Sequence, residues 1–98
     1  MAKYVTLIRF TEQGAKSIGD TCKRAADFKS KAQQSGVTIR DMFWTVGAVD
    51  GMLIYEASDD ETATTAMLAL SSQGNVRTET CRAFDPSEME QILKSRPK

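Results

Sequence analysis

A chain of 98 residues, 41% hydrophobic and 27% charged, has room for one hydrophobic core and not for two. Thirteen basic residues balance thirteen acidic ones, so the electrostatic footprint of a nucleic-acid binder is missing, and no apolar run approaches the ~18 residues of a membrane span. Histidine is absent, which removes the commonest general acid/base near neutral pH, the Ser-His and Cys-His nucleophile pairs and the commonest metal ligand.

Cys22 and Cys81 form no Cys-x-x-Cys pair and read as two reduced, structural thiols. No metal and no cofactor is expected. The amino terminus runs directly into a strand-like pattern, for which a cytoplasmic location is the default expectation. Charge is uneven along the chain: residues 1–40 hold eight Lys or Arg against three acids, and residues 41–98 hold five against ten.

In chain order, Tyr4 to Phe10 is rich in β-branched and aromatic residues and predicts a strand apolar on both faces. Thr11-Glu12-Gln13-Gly14 reads as a turn. Asp20 is placed to cap a helix with Cys22, Ala25, Phe28 and Ala32 on its inner stripe, ended by Gly36. Val37 to Val46 and Met52 to Ala57 predict two strands joined through a tight Gly47-to-Gly51 hairpin. Ser58-Asp59-Asp60-Glu61 reads as a capping box opening a helix with Ala63, Ala66, Met67 and Leu70 inward, closed by Gly74. A fourth strand follows from Val76 to Phe84. Asp85-Pro86-Ser87-Glu88 then starts a short helix with Met89, Ile92 and Leu93 inward.

The order β-α-β-β-α-β plus a terminal helix predicts a single α+β domain over residues 1–98, of the ferredoxin-like split β-α-β class: a four-stranded antiparallel sheet with helices on one face. The two main helices then lie side by side, and Lys23, Arg24, Lys29 and Lys31 on the first are placed to complement Asp59, Asp60 and Glu61 on the second. Strict alternation in the second strand puts Val37, Ile39, Asp41, Phe43 and Thr45 on one face and Thr38, Arg40, Met42, Trp44 and Val46 on the other. Neither set suits water, so the uncovered face is expected to pack on a second copy, as a homodimer or a dimer-based oligomer.

Several segments together resemble the GYD-domain family: Tyr4-Val5-Thr6-Leu7-Ile8, Thr11-Glu12-Gln13-Gly14, Asp20-Thr21, Phe43-Trp44-Thr45-Val46-Gly47, Asp50-Gly51 and Gly74-Asn75-Val76-Arg77-Thr78-Glu79-Thr80. The likeness spans about residues 4 to 93. Val49 stands where the family's tyrosine is expected, and Cys22 where many relatives carry proline. The resemblance implies a ferredoxin-like fold that associates through its sheets into an α/β-barrel-like oligomer, and it brings no established activity.

The polar residues on and around the strands are the candidates for chemistry, because charges within strands sit at edges, pair across strands or line clefts. Arg77 and Glu79 share one face, and with Trp44 and Tyr55 they form the candidate ligand-binding set, the arginine for a carboxylate or phosphate and the aromatic for an apolar ring. A salt-bridge ladder that fixes register is the alternative reading of the same charges. Asp50 reads first as a turn former. The leading functional reading is a non-catalytic homo-oligomeric module that binds a small organic ligand or a partner protein. One alternative is a cofactor-independent isomerase or monooxygenase-like enzyme, with Asp50 or Glu79 as base and Arg77 as oxyanion stabiliser. A structural or stress-related assembly protein is the other.

Overall fold

The computed structural model describes residues 1–97. Four strands, β1 (Ala2–Phe10), β2 (Thr38–Trp44), β3 (Gly51–Ala57) and β4 (Val76–Ala83), form one sheet in the order β2-β3-β1-β4 with every neighbour antiparallel. Four helices are interspersed: α1 (Glu12–Lys16), α2 (Thr21–Gln34), α3 (Asp60–Ser72) and α4 (Pro86–Ser95), with a 3-10 turn at Ile18–Asp20. This is the expected ferredoxin-like α+β arrangement.

Local chemistry sets the element boundaries. Gly36 at φ 87° and Gly74 at φ 85° terminate α2 and α3 in the left-handed region that favours glycine. Asp85 caps α4 in a reciprocal box: its carboxylate accepts from the Glu88 N–H, the Glu88 carboxylate accepts from the Asp85 N–H, and Pro86 follows. At α3 the cap is Asp59, whose Oδ1 accepts from the Thr62 N–H at 2.8 Å, rather than Ser58. Asp20 makes no side-chain capping bond to α2.

Tyr4, Thr6 and Ile8 of β1 and Leu53, Tyr55 and Ala57 of β3 face the helices. There they meet Phe28 and Ala32 of α2 and Ala63, Ala66 and Met67 of α3 in one core. Tyr4 and Tyr55 stack with ring centroids 5.5 Å apart, and the buried Thr6 hydroxyl lies 2.8 Å from both the Tyr55 hydroxyl and the Thr80 hydroxyl. The polar atoms of this core are thereby satisfied.

Several further expectations are corrected by this arrangement. Thr11 begins a helix, not a turn: its Oγ1 accepts from the Gly14 N–H and caps α1. A bulge between Ile39 and Asp41 adds one residue to β2 and inverts its alternation, so Ile39, Met42 and Trp44 face the helix side while Asp41 and Phe43 pair with the open-face residues Ile54 and Met52. The β2–β3 connection is a six-residue loop, Thr45 to Asp50, tied by Thr45 N–H to the Asp50 carbonyl at 2.9 Å and Thr45 Oγ1 to the Val49 carbonyl at 2.7 Å.

Cys22 and Cys81 are both exposed free thiols, so Cys22 is not on the inner stripe of α2. Among the described residues no ion pair joins the basic face of α2 to the acidic start of α3; Arg24 turns instead to the carbonyl and hydroxyl of Ser17.

Candidate functional site

The expected ligand-binding set is split between the two faces of the sheet. Glu79 pairs with Leu7, and Arg77 with Arg9, across the β1–β4 ladder, so both lie on the open face. Tyr55 is fully buried on the helix face, and Trp44, beside Gly51 at the end of β2, also points to the helix side. Sheet alternation keeps these pairs apart, so they do not form one pocket wall.

Nor are Asp50, Glu79 and Arg77 gathered as an acid/base constellation. Glu79 is exposed and lies 3.7 Å from Arg9, in part the ladder alternative. Arg40 and Glu56 form a second rung. Arg77 faces the like charge of Arg9, an unfavourable juxtaposition in a directly opposed pair. The Asp50 carboxylate accepts from the Phe10 N–H at 2.8 Å while its own N–H donates to the Ile8 carbonyl, which fastens the β2–β3 loop to the end of β1.

The displaced carboxyls all lie below their ordinary range. The Arg40 guanidinium lowers Glu56, the Thr62 N–H lowers Asp59, and the reciprocal backbone bonds of the α4 cap lower Asp85 and Glu88. Lys3, bonded to Asp85 and Glu88, is raised. These are the shifts of structural pairs and caps.

Two surfaces and one pocket stand out. The first surface is the open sheet face, where Val5, Leu7, Met52 and Ile54 stay partly accessible at the centre and Phe43 is 53% exposed, with charges around them. The second is α4. Met89, Ile92 and Leu93, expected inward, are 44%, 41% and 43% exposed, and Phe84 ahead of them is 49% exposed. The helix is amphipathic but begins past the end of β4, where its first turn is held by Lys3 to Asp85 and Glu88, each at 3.3 Å. Its apolar stripe therefore does not reach the core. The radius of gyration, 14.9 Å, exceeds the roughly 13 Å of a compact domain of this length, in keeping with a helix not folded back on the body.

The pocket, about 70 Å³, opens between α2 and the sheet. Ile8, Phe28, Met42, Leu53 and Leu70 are among its apolar walls, and Trp44, Thr21, Arg24 and Asp50 stand among its polar lining groups. The Trp44 indole N–H donates to Thr21 Oγ1 at 3.0 Å, bridging the sheet edge to the first turn of α2. Sequence reasoning found Trp44 and Asp50 and missed Thr21, Arg24 and Met42. The available signal was the spacing of Thr21, Ala25, Phe28 and Ala32, one helical stripe whose first position is polar.

The segments that carry the family resemblance also meet. Thr11 donates its N–H to the Asn75 carbonyl at 3.1 Å and its hydroxyl to the Gly74 carbonyl at 2.6 Å. Gln13 Nε2 donates to the Gln73 carbonyl and to Asn75 Oδ1.

Fold and surfaces define a small α+β module of ferredoxin-like topology with one uncovered sheet face. The chain belongs to the GYD domain family, whose model matches residues 4–93. It is 27% identical over 95 residues to a Thermus thermophilus protein described as a glutamine synthetase and cystathionine beta-lyase binding protein, covering 96% of this chain and 100% of that one. A crystal structure of a homoserine dehydrogenase from Thiobacillus denitrificans superposes on 86% of this chain with a TM-score of 0.56 at 19% identity. This chain corresponds to 17% of that one, and the likeness is one of fold.

Proposed function

We propose that this protein is a homo-oligomeric binding module without a reaction of its own, which recognises a partner protein. The observation that carries the reading is the pair of unburied apolar surfaces, the open sheet face and the Met89, Ile92 and Leu93 stripe of α4. Apolar patches of this kind on a small chain mark interaction sites.

A second copy is the occupant assigned to the sheet face. Its centre is apolar and its periphery carries both signs of charge, Arg9, Arg40 and Arg77 against Asp41, Glu56 and Glu79, the composition of a self-complementary interface. The α4 stripe is assigned to the partner, as an amphipathic helix laid into an apolar groove. Glutamine synthetase and cystathionine beta-lyase, the two enzymes in the relative's description, are the first partners to test.

Immobilised protein presented with each purified enzyme from the same organism tests the reading. Saturable binding to either, lost in the Ile92→Lys, Leu93→Lys double variant with the oligomer intact, is expected. Failure of both enzymes to bind, or binding indifferent to the double variant, overturns the assignment of α4.

A further inference from the structure

We infer that the pocket between α2 and the sheet is a binding site for a free α-amino acid with a small apolar side chain. The inference is independent of the partner reading of α4, because the pocket lies on the helix side of the sheet and no residue of α4 lines it, Phe43 being the one open-face strand residue at its rim.

Three observations carry it. First, the half of the domain around Tyr4 and Tyr55 is closed, whereas at the opposite end Ile8, Met42 and Leu70 remain partly accessible around a void of about 70 Å³. α2 presents little apolar bulk there: Ala25 lines the pocket, and Phe28 is the one large apolar α2 side chain in its wall. A dry apolar cavity of about 150 Å³ accommodates benzene, so a space about half that size suits a branched aliphatic chain or a thioether and not an indole.

Second, the pocket's charged lining residues are one cation and one anion. Arg24 donates to the Ser17 carbonyl at 2.8 Å, the Ser17 hydroxyl at 3.1 Å and the Gly14 carbonyl at 3.4 Å, and no carboxylate among the described residues pairs with it. A guanidinium has five N–H donors, so capacity remains for a carboxylate. Asp50 uses Oδ2 on the Phe10 N–H, and among the described residues it likewise has no cationic partner. A half-buried arginine and a half-buried aspartate lining one apolar pocket complement a zwitterion whose side chain enters the void.

Third, Trp44 is placed as a movable cover. It ends β2, is 49% exposed, and its indole is fixed to α2 by the one bond to Thr21. Breaking that bond opens the side of the pocket without disturbing the sheet ladder.

Trp44 is also the only tryptophan, so its emission reports the site directly. Titration of the full-length protein with leucine and methionine is expected to give a saturable emission change matched by calorimetry. The analogues 4-methylpentanoate, lacking the ammonium group, and 3-methylbutylamine, lacking the carboxylate, should each bind at least about tenfold more weakly, the loss of one charged contact. Ala25→Leu, which fills the void from the helix wall, should abolish the response. Asp50→Asn should reduce leucine to the affinity of 4-methylpentanoate while leaving that analogue unchanged.

The Met42 methyl resonance of the unsubstituted protein gives a readout that depends on no variant, and leucine should shift it. No saturable response to leucine or methionine up to about 10 mM, weaker than any ordinary site, overturns the inference. So does binding of either truncated analogue as tightly as leucine, or tighter binding of an aromatic hydrocarbon than of leucine.

Discussion

The Tyr4 phenol donates to Asp60 Oδ1 at 2.5 Å, tying the third residue pair of the β1–β3 ladder to the first turn of α3 across 56 residues of sequence. Burial and this bond push the Tyr4 hydroxyl up to about 12 from an ordinary value of 10.0. A raised value in the folded state means that the protonated form is the one the fold prefers. The associated stability is complete below pH 10 and is lost as pH rises through 12. Tyr4→Phe should cost about 1 kcal/mol at neutral pH, because Asp60 is exposed and regains water. It should also flatten the decline in stability above pH 10. Denaturant unfolding of both proteins from pH 7 to 12 measures this.

The acid limb has the opposite sign. Glu56, Asp59, Asp85 and Glu88 are held below their ordinary 4.5 and 3.8, so their contribution is present above those values and fades as pH falls through them. The chain has no histidine to titrate in between. Stability should therefore form a plateau from about pH 5 to 10, falling on both sides. Asp85→Asn should shift the acid edge to lower pH dependence and release α4 first, seen as an early loss of helical circular dichroism.

Gly14 has no room for a side chain: a Cβ there would stand 2.0 Å from the Asn75 carbonyl oxygen. Because that oxygen also accepts the Thr11 N–H, it has no room to move. Gly14→Ala should destabilise by about 3 kcal/mol or more, by overpacking against backbone. A chemical denaturation midpoint within error of the parent contradicts this. The exposed Gly19, with open space around its Cβ position, is the control.

The two cysteines report on the two faces. Cys22 lies on the outer side of α2, and Cys81 lies opposite Val5 on the open sheet face. If a second copy covers that face, maleimide should label Cys22 readily and Cys81 at least about tenfold more slowly, as for local opening of a packed interface. Equal rates for both thiols in the native protein would mean that the face is bare.

Most of the fold was legible because local signals and global topology agree. Gly36, Gly74 and the Asp85-Pro86-Ser87-Glu88 box mark boundaries by backbone chemistry that tertiary contacts did not override. The β2 bulge was not legible, since nothing in Ile39-Arg40-Asp41 distinguishes a residue in the ladder from one beside it, and the missing shift reversed the assigned faces of Met42 and Asp41. The exposure of α4 was hidden for a related reason: a stripe at Met89, Ile92 and Leu93 has the same period whether it meets its own core or another chain.

Site residues were the least legible. Arg77 and Trp44 both stand out in the sequence, yet a two-stranded separation and sheet alternation place them on opposite faces. Arg24 was grouped with the basic surface of α2, while its guanidinium folds back to Ser17 and the residue lines the pocket. Pairing of distant segments decides such contacts, and a periodicity does not encode it.

Association through the open sheet face is the central claim, and light scattering coupled to size-exclusion chromatography, run on the parent protein and Leu7→Lys, tests it most directly. Leu7 lies at the middle of that face, beside Met52 and Glu79. The parent should elute as a dimer or a multiple of one, and the buried unpaired lysine should weaken association at least about 100-fold to give a folded monomer. A parent that is monomeric at micromolar concentration, or a variant whose mass is unchanged, would contradict the account.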